Sequence, residues 1–289
     1  MVPRHYLALT VAVIAISWAS ILILLSGAQP IAVAFWRTAL ASLVLLPLAL
    51  MERDRGGHGV DGRDLMLMTI SGAALATHFM TWIQSLYLTT VASSVTLVST
   101  YPVFTLVMGR LIGERPRVRA TVGTLTAFLG IVIISAPAFY ISTKALLGDL
   151  LALAGALSGA VYFLIGRAVR IRVSLAMYTV PVYGVAAIIT LITGLILNVR
   201  FWPYPPMTWA YIAALVAGPM LLGHTLLNYS LKYSRAITVT TSTLGEPVGS
   251  TLLAWLILHQ VPTPLTLLGM AVTLTGIYLV VSEEGSAAG

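Results

Sequence analysis

Long apolar stretches alternate with short polar ones along almost the whole chain. The apolar stretches are continuous, which predicts helices rather than the strands of a membrane barrel, where apolar and polar residues alternate. A helix needs about 20 apolar residues to cross a bilayer. Ten stretches of about this length predict ten transmembrane helices, at residues 6–26, 30–51, 65–88, 91–112, 117–138, 148–168, 174–197, 207–231, 236–258 and 263–282.

The composition agrees with a membrane protein. The chain has 289 residues, of which 58% are hydrophobic and 9% charged, and its mean hydropathy is +0.96. A soluble domain has about a quarter of its residues charged. Ten spans leave only short loops, so we expect no soluble catalytic or nucleotide-binding domain. The chain has no cysteine, which excludes disulfides and thiolate metal sites.

The basic residues predict how the chain is oriented. With the N-terminus inside, 13 of the 16 Lys and Arg residues fall on the inner side, and only Lys144 and Arg200 fall outside. This asymmetry places both termini in the cytoplasm and the protein in the cell membrane. Because the basic residues lie mostly in the inner loops, the membrane orientation explains the net charge of +7. We therefore expect the lipid bilayer, and not nucleic acid, as a partner.

The first span also has features of a signal peptide. Arg4 gives a short basic start, and Ser26-Gly27-Ala28 resembles a cleavage site. However, the apolar run is longer than a usual signal core, and the span has a partner in an internal repeat. We therefore expect it to be retained as a membrane span.

That repeat divides the chain into two units. Tyr101-Pro102-Val103 matches Glu246-Pro247-Val248 at an offset of 145 residues, and Gly130-Ile131 matches Gly276-Ile277 at nearly the same offset. The predicted units are residues 1–138 and 148–284, joined by an external linker at 139–147. Because each unit has five spans, the second must enter the membrane in the opposite direction. Two inverted halves are the usual construction of a secondary transporter.

Several short motifs occur in order along essentially the whole chain. They are Arg37 in span 2, Pro102 followed by Gly113-Glu114, a Gly-rich span 5, Gly148-Asp149-Leu150-Leu151-Ala152-Leu153 opening span 6, and Gly245-Glu246-Pro247-Val248 in span 9. Together they resemble the drug/metabolite transporter superfamily, specifically the ten-span EamA-type transporters. One departure is His259-Gln260, where the family often repeats Gly-Glu.

The resemblance implies export or exchange of small metabolites, amino acids or drug-like compounds, with a proton or a counter-substrate as the coupling partner. It also implies a central cavity lined by spans 1, 3, 4, 6, 8 and 9. It implies no cofactor.

Glu246 is the most informative polar residue, because it lies near the middle of span 9. A carboxylate at this depth is costly unless it is paired or hydrated, and Glu is too short to reach the membrane surface. We therefore expect a coupling site or a site for a substrate amine, with a paired or protonated structural Glu as the alternative. Pro247 follows Glu246, and Pro102 has the equivalent place in span 4. We expect kinks there that gate or form the cavity, although kinks needed only for packing remain the alternative.

Other polar and aromatic residues are candidates for the cavity wall. Arg37 in span 2 either extends to the outer membrane surface as an anchor or contacts the substrate or Glu246. His78 and Trp82 share one face of span 3, and His224 and Asn228 have the same spacing on span 8. The equivalent positions suggest facing walls of one cavity, with structural hydrogen bonding as the alternative. Further wall candidates, for which ordinary packing is the alternative, are Tyr101, Trp18 and Tyr162.

No enzyme motif accompanies these residues. The sequence has no His-Glu-x-x-His, no Gly-x-Ser-Gly and no Walker loop, and its aspartates lie in loops or at span ends. We therefore expect neither a catalytic residue nor a metal site. The sequence indicates a secondary active transporter of small organic solutes that works by alternating access. The alternative is a facilitative channel or uniporter for a small solute, and the sequence does not indicate an oligomeric state.

Overall fold

A computed structural model describes residues 4–54, 60–135, 142–258 and 261–287 of the chain. Within these ranges the regular elements are helices and no strand occurs, as the continuous apolar stretches predict. A 3₁₀ turn at Gly109–Ile112 and a π-helical segment at Val216–His224 add to the α-helices. The α-helices are Arg4–Ile16 (α1), Ala19–Ser26 (α2), Pro30–Asp54 (α3), Gly62–Ser85 (α4), Val91–Val98 (α5), Tyr101–Met108 (α6), Val118–Ser135 (α7), Thr143–Arg170 (α8), Leu175–Ile196 (α9), Pro206–Leu215 (α10), Thr225–Ser230 (α11), Ala236–Ser242 (α12), Gly245–Leu258 (α13) and Pro264–Ala287 (α14).

Most of the predicted spans correspond to helices that are long and apolar enough to cross a membrane. Eight such stretches are found among the described residues, and Val118–Ile134 is a shorter apolar helix. The predicted span 236–258 consists instead of α12 and α13, which are separated by a turn at Thr243 and Leu244. The chain is therefore a multi-pass membrane protein, and ten crossings remain the prediction from the sequence.

Two helices begin earlier than their apolar stretches because polar residues cap them. The Asp61 side chain accepts a hydrogen bond from the Asp64 amide at 2.7 Å, and Ser142 accepts one from the Ala145 amide at 3.0 Å. As a result α4 and α8 begin before the predicted residues 65 and 148. Residues 143–147 of the predicted linker are thus helical. Residues 139–141 and His259-Gln260 lie outside the described ranges.

The helices pair across the two predicted halves. α3 packs on α9, α4 on α8, and α7 on α14. α1 contacts the π-helical segment and α11, while α6 contacts α12. In terms of spans, the pairs are 2 with 7, 3 with 6, 5 with 10, 1 with 8 and 4 with 9. Every one of these contacts joins the first half to the second, so the halves share one core.

Four spans are interrupted near their middle. The breaks lie at Ser17 and Trp18, at Ser99 and Thr100, and at Thr243 and Leu244, and span 8 has its π-helical segment. Hydroxyl groups donate hydrogen bonds to carbonyls at the breaks. The Ser250 hydroxyl donates to the Ser17 carbonyl at 2.9 Å, the Thr100 hydroxyl donates to the Leu97 carbonyl at 2.7 Å, and the Thr243 hydroxyl donates to the Thr240 carbonyl at 2.7 Å.

The two prolines lie just after these breaks. Pro102 and Pro247 occupy the first turns of α6 and α13, where a helix has no partner for the amide hydrogen that proline lacks. The chain is thus interrupted before each proline rather than kinked at it, which corrects the expected geometry.

Carboxylates tie helix ends together on the side of the predicted arginine-rich loops. Glu52 accepts hydrogen bonds from the Ser174 hydroxyl at 2.5 Å and the Ala176 amide at 3.1 Å, so it caps α9. Asp64 pairs with Arg172, and this hydrogen bond raises the pKa of the Arg172 guanidinium, which lies in the loop after α8. Negative charge at a helix N-terminus is stabilising because it opposes the helix dipole.

Glycines set the distance between α7 and α14. Gly123 and Gly130 on α7 face Gly276 and Gly269 on α14, and a Cβ atom added at any of the four would lie closer than 3.0 Å to backbone of the opposite helix. Small residues with this spacing allow helix backbones to approach closely in a membrane.

We expect Gly276→Ala to lower the stability of the folded protein. The added methyl group would push α14 from α7, and overpacking of this kind costs about 1–3 kcal/mol. Thermal unfolding of the purified protein in detergent measures the effect. Gly62→Ala is the matched control, because nothing lies within 4 Å of its Cβ position. Equal melting temperatures for the two variants would contradict the close contact.

Candidate functional site

The interrupted helices surround a small cavity in the protein core. Its volume is about 30 Å³, which is room for a water molecule but not for an organic solute. Residues from spans 1, 2, 3, 4, 6, 8 and 9 line it, so the expected spans are all present and span 2 joins them. The lining residues are Ile16, Ala19, Arg37, His78, Trp82, Val98, Tyr101, Phe163, His224, Leu227 and Glu246.

The breaks supply several of these residues. Ile16 and Ala19 flank the break in span 1, and Val98 and Tyr101 flank the break in span 4. Glu246 follows the break in span 9, where its backbone amide donates to the Thr243 carbonyl at 2.8 Å. The Tyr101 and Thr243 hydroxyls form a hydrogen bond that joins the breaks of spans 4 and 9. The irregular backbone therefore positions the cavity wall, as in transporters whose sites are built from discontinuous helices.

Arg37 is the most unusual residue of the site. Its side chain is 1% exposed, and none of its three guanidinium nitrogens has a hydrogen-bond partner among the residues that the structure describes. Its guanidinium carbon lies 4.0 Å from the centroid of the Phe79 ring, a cation–π contact. The sequence-based idea that Arg37 reaches the outer membrane surface is therefore wrong. Its charge is held inside the protein and faces the cavity.

Glu246 brings the opposite charge to the same cavity. The two side chains interact electrostatically, yet they form no ion pair within 4.0 Å in the part of the chain that the structure describes. A buried charge without a close partner costs several kcal/mol. Arg37 and Glu246 thus place groups of opposite formal charge on the wall of one cavity.

Imidazole and aromatic rings form the rest of the wall. The His78 ring stacks on Trp82 with 6.0 Å between centroids and lies 6.3 Å from the His224 ring, so the two predicted histidines are neighbours. His78 Nδ1 hydrogen-bonds the Gly155 carbonyl at 2.8 Å, which fixes the ring against α8. The Phe163 ring stacks on Tyr101 at 5.6 Å.

Some polar atoms of this wall have no partner. Trp82 Nε1 and His224 Nδ1 are buried and make no hydrogen bond among the described residues, like the Arg37 guanidinium. Buried polar groups are nearly always hydrogen-bonded, so such a cluster calls for an explanation. Two of the three groups, Arg37 and Trp82, are purely donors. The cavity wall therefore holds donors that no other described residue accepts from.

Three predicted residues lie near the cavity but do not line it. The Asn228 amide donates to the Tyr162 hydroxyl and, at 2.8 Å, to the carbonyl of His224, the last residue of the π-helical segment. Asn228 thus links Tyr162 to the end of that segment. Trp18 is partly buried at the break of span 1, where its neighbours Ile16 and Ala19 line the cavity instead.

The sequence analysis missed two groups of residues. Phe79 and Phe163 are ordinary apolar residues in their helices, and nothing in a single sequence separates them from packing residues. Glu114 accepts hydrogen bonds from the Ala236 amide at 3.0 and 3.1 Å, and it pairs with Arg167 at 3.3 Å. Its place in the Gly113-Glu114 motif was a signal, but the partner at the start of α12 was not predictable.

Comparisons with known proteins agree with a transporter. The sequence model of the EamA-like transporter family matches residues 5–136 and again residues 146–282. A protein of Archaeoglobus fulgidus named as an uncharacterized transporter is 26% identical over 286 residues, which cover 96% of each chain. One solved crystal structure superposes with a TM-score of 0.81 over 99% of both chains at 18% identity, which shows a shared fold. Since the family model accounts for nearly the whole length, the chain belongs to the EamA-like transporter family.

Proposed function

We propose that this protein is a secondary active transporter that exports or exchanges small organic solutes across the cell membrane by alternating access. The observation that carries the proposal is the cavity in the core that Arg37 and Glu246 share. Substrate sites of secondary transporters lie at such half-depth positions, where discontinuous helices meet.

The arrangement of the halves supports alternating access. Each span of the first half has an equivalent in the second half, five spans later. Three contacts join a span to its own equivalent, namely 2 with 7, 4 with 9 and 5 with 10. The other two contacts, 3 with 6 and 8 with 1, are equivalent to each other. This is the pattern that a two-fold axis between the halves would generate, and it supports the proposed inversion. If the axis lies in the membrane plane, exchanging the conformations of the two halves converts an outward-open state into an inward-open one.

The size of the cavity favours a carrier over a channel. A continuous pore would leave an open path, whereas the described residues enclose only about 30 Å³ between the two charges. An organic solute needs a pocket of roughly 300 Å³ or more. The cavity must therefore widen to take up a solute, and the breaks in spans 1, 4 and 9 are the places where the helix halves can move.

The chemistry of the wall indicates what the solute carries. Arg37 binds a carboxylate or another anionic group through two parallel hydrogen bonds, and the Trp82 indole N–H adds a donor. Glu246 binds an amine or takes up a proton. The site therefore fits a small solute with an acceptor group at one end, and its aromatic rings suit an apolar or aromatic remainder.

Glu246→Gln is expected to abolish the dependence of solute flux on pH, because the amide keeps the shape of the side chain but cannot exchange a proton. Flux is measured in proteoliposomes with an imposed pH gradient. Glu246→Asp is the matched variant, since it keeps a carboxyl group and should retain pH-dependent flux at a reduced rate. If Glu246→Gln retains the pH dependence of the wild type, Glu246 has no role in proton coupling.

Arg37→Gln is expected to weaken the binding of anionic solutes by roughly 10- to 100-fold, the value of a hydrogen bond to a charged group. A thermal-shift screen of amino acids and their amide analogues on the purified protein measures this. The variant itself should be at least as stable as the wild type, because it removes an unpaired buried charge. A less stable variant with unchanged solute selectivity would show instead that Arg37 is structural.

A further inference from the structure

A second pocket lies far from the central cavity, where α6 ends and α7 begins. Its volume is about 630 Å³. The 3₁₀ turn Gly109–Ile112 and the left-handed residue Gly113 turn the chain back between the two helices. Because one apolar span ends at Ile112 and the next apolar helix starts at Val118, this pocket lies at the membrane boundary. It is lined by Leu106, Val107, Arg110, Arg115, Pro116 and Thr121.

The two arginines of the pocket have no counter-charge among the residues that the structure describes. The side chains of Arg110 and Arg115 are exposed, and in the described ranges neither forms a hydrogen bond or an ion pair. Other arginines on the same side do have partners, such as Arg172 with Asp64 and Arg119 with the Ser282 hydroxyl at 3.0 Å. The guanidinium groups of Arg110 and Arg115 are therefore not engaged by another described residue and can bind an anion.

The acidic residue nearest in sequence does not neutralise them. The Glu114 carboxylate caps α12 through the Ala236 amide and pairs with Arg167, and neither of these partners lines the pocket. Arg117 and Arg119 add two more positive charges within the same loop and helix start. The pocket lining thus carries two positive charges from Arg110 and Arg115 and, among the described residues, no carboxylate.

The rest of the pocket and its surroundings are apolar. Leu106 and Val107 belong to the lining, and Val107 is 69% exposed. Leu111 and Val118 beside it are 81% and 79% exposed, which for a residue at the membrane boundary means contact with lipid. A free phosphate would use the arginines alone. A molecule with a negative headgroup and hydrocarbon chains would use both surfaces.

We propose that this pocket binds the phosphate of an anionic phospholipid, with Arg110 and Arg115 holding the headgroup and the acyl chains lying along Val107, Leu111 and Val118. Basic pockets between helix ends are known to bind such headgroups. The site would hold the turn between spans 4 and 5, next to the Glu114 contact that joins span 4 to span 9. The proposal does not depend on the transport function.

The test measures lipid retention on the purified full-length protein. The protein is exchanged into phosphatidylglycerol or phosphatidylcholine with the same acyl chains, and bound lipid is counted by native mass spectrometry. We expect wild-type protein to retain phosphatidylglycerol preferentially. The double substitution Arg110→Gln with Arg115→Gln should weaken this binding by about 30-fold, since each basic residue near a lipid surface contributes about fivefold.

Three controls make the result decisive. Arg63→Gln with Lys232→Gln removes the same charge from exposed residues on the same side, outside the pocket, and should bind like the wild type. Arg110→Lys with Arg115→Lys keeps the charge and should retain most of the lipid, which shows that the pocket still folds. Inorganic phosphate should not displace the lipid at millimolar concentration. Equal lipid loss in the Arg63/Lys232 control, full retention in the Gln variant, or displacement by phosphate would each overturn the proposal.

Discussion

The structure depends on one constraint, which is that backbone polar groups inside a bilayer must be satisfied by protein or by trapped water. Spans 1, 4 and 9 break and span 8 becomes π-helical around the same centre, where the protein itself shields the backbone. The hydroxyl groups of Thr100, Thr243 and Ser250 donate hydrogen bonds to backbone carbonyls at the breaks. The breaks could not lie at the lipid-facing surface, so the same constraint that permits them also gathers the functional side chains around one cavity.

The second consequence concerns charge. Arg37 and Glu246 face the same cavity, and within the described part of the chain neither is neutralised by a close ion pair. Keeping a cation unpaired in the core costs stability, which the packing of the surrounding rings and of the paired helices has to offset. Such a cost makes sense where a ligand supplies the missing partner. The Glu52, Glu114 and Asp64 contacts differ in kind, because there each carboxylate has its partners within the protein.

Much of this architecture could be predicted from the sequence. The features that could not be predicted depend on caps and on contacts between distant parts of the chain. Hydropathy located eight stretches that are long and apolar enough to cross a membrane, and the matched Pro102 and Pro247 lie just after two of the breaks. Helix starts at Gly62 and Thr143 were missed because caps, not apolar residues, determine them. The orientation of Arg37 depends on Phe79 and on a cavity formed by seven spans, contacts that no periodicity in one sequence reveals. The π-helical segment was missed for the same reason.

The central claim is that the cavity between Arg37 and Glu246 opens to each side of the membrane in turn. The chain has no cysteine, so Ala19→Cys would place a single thiol on the cavity wall. A small membrane-impermeant thiol reagent, added to either side of oriented vesicles, measures its accessibility, with the lipid-facing Leu43→Cys as control. The account predicts that the thiol at position 19 reacts from both sides and that the control reacts from neither. Failure of the thiol at position 19 to react from one of the two sides would contradict it.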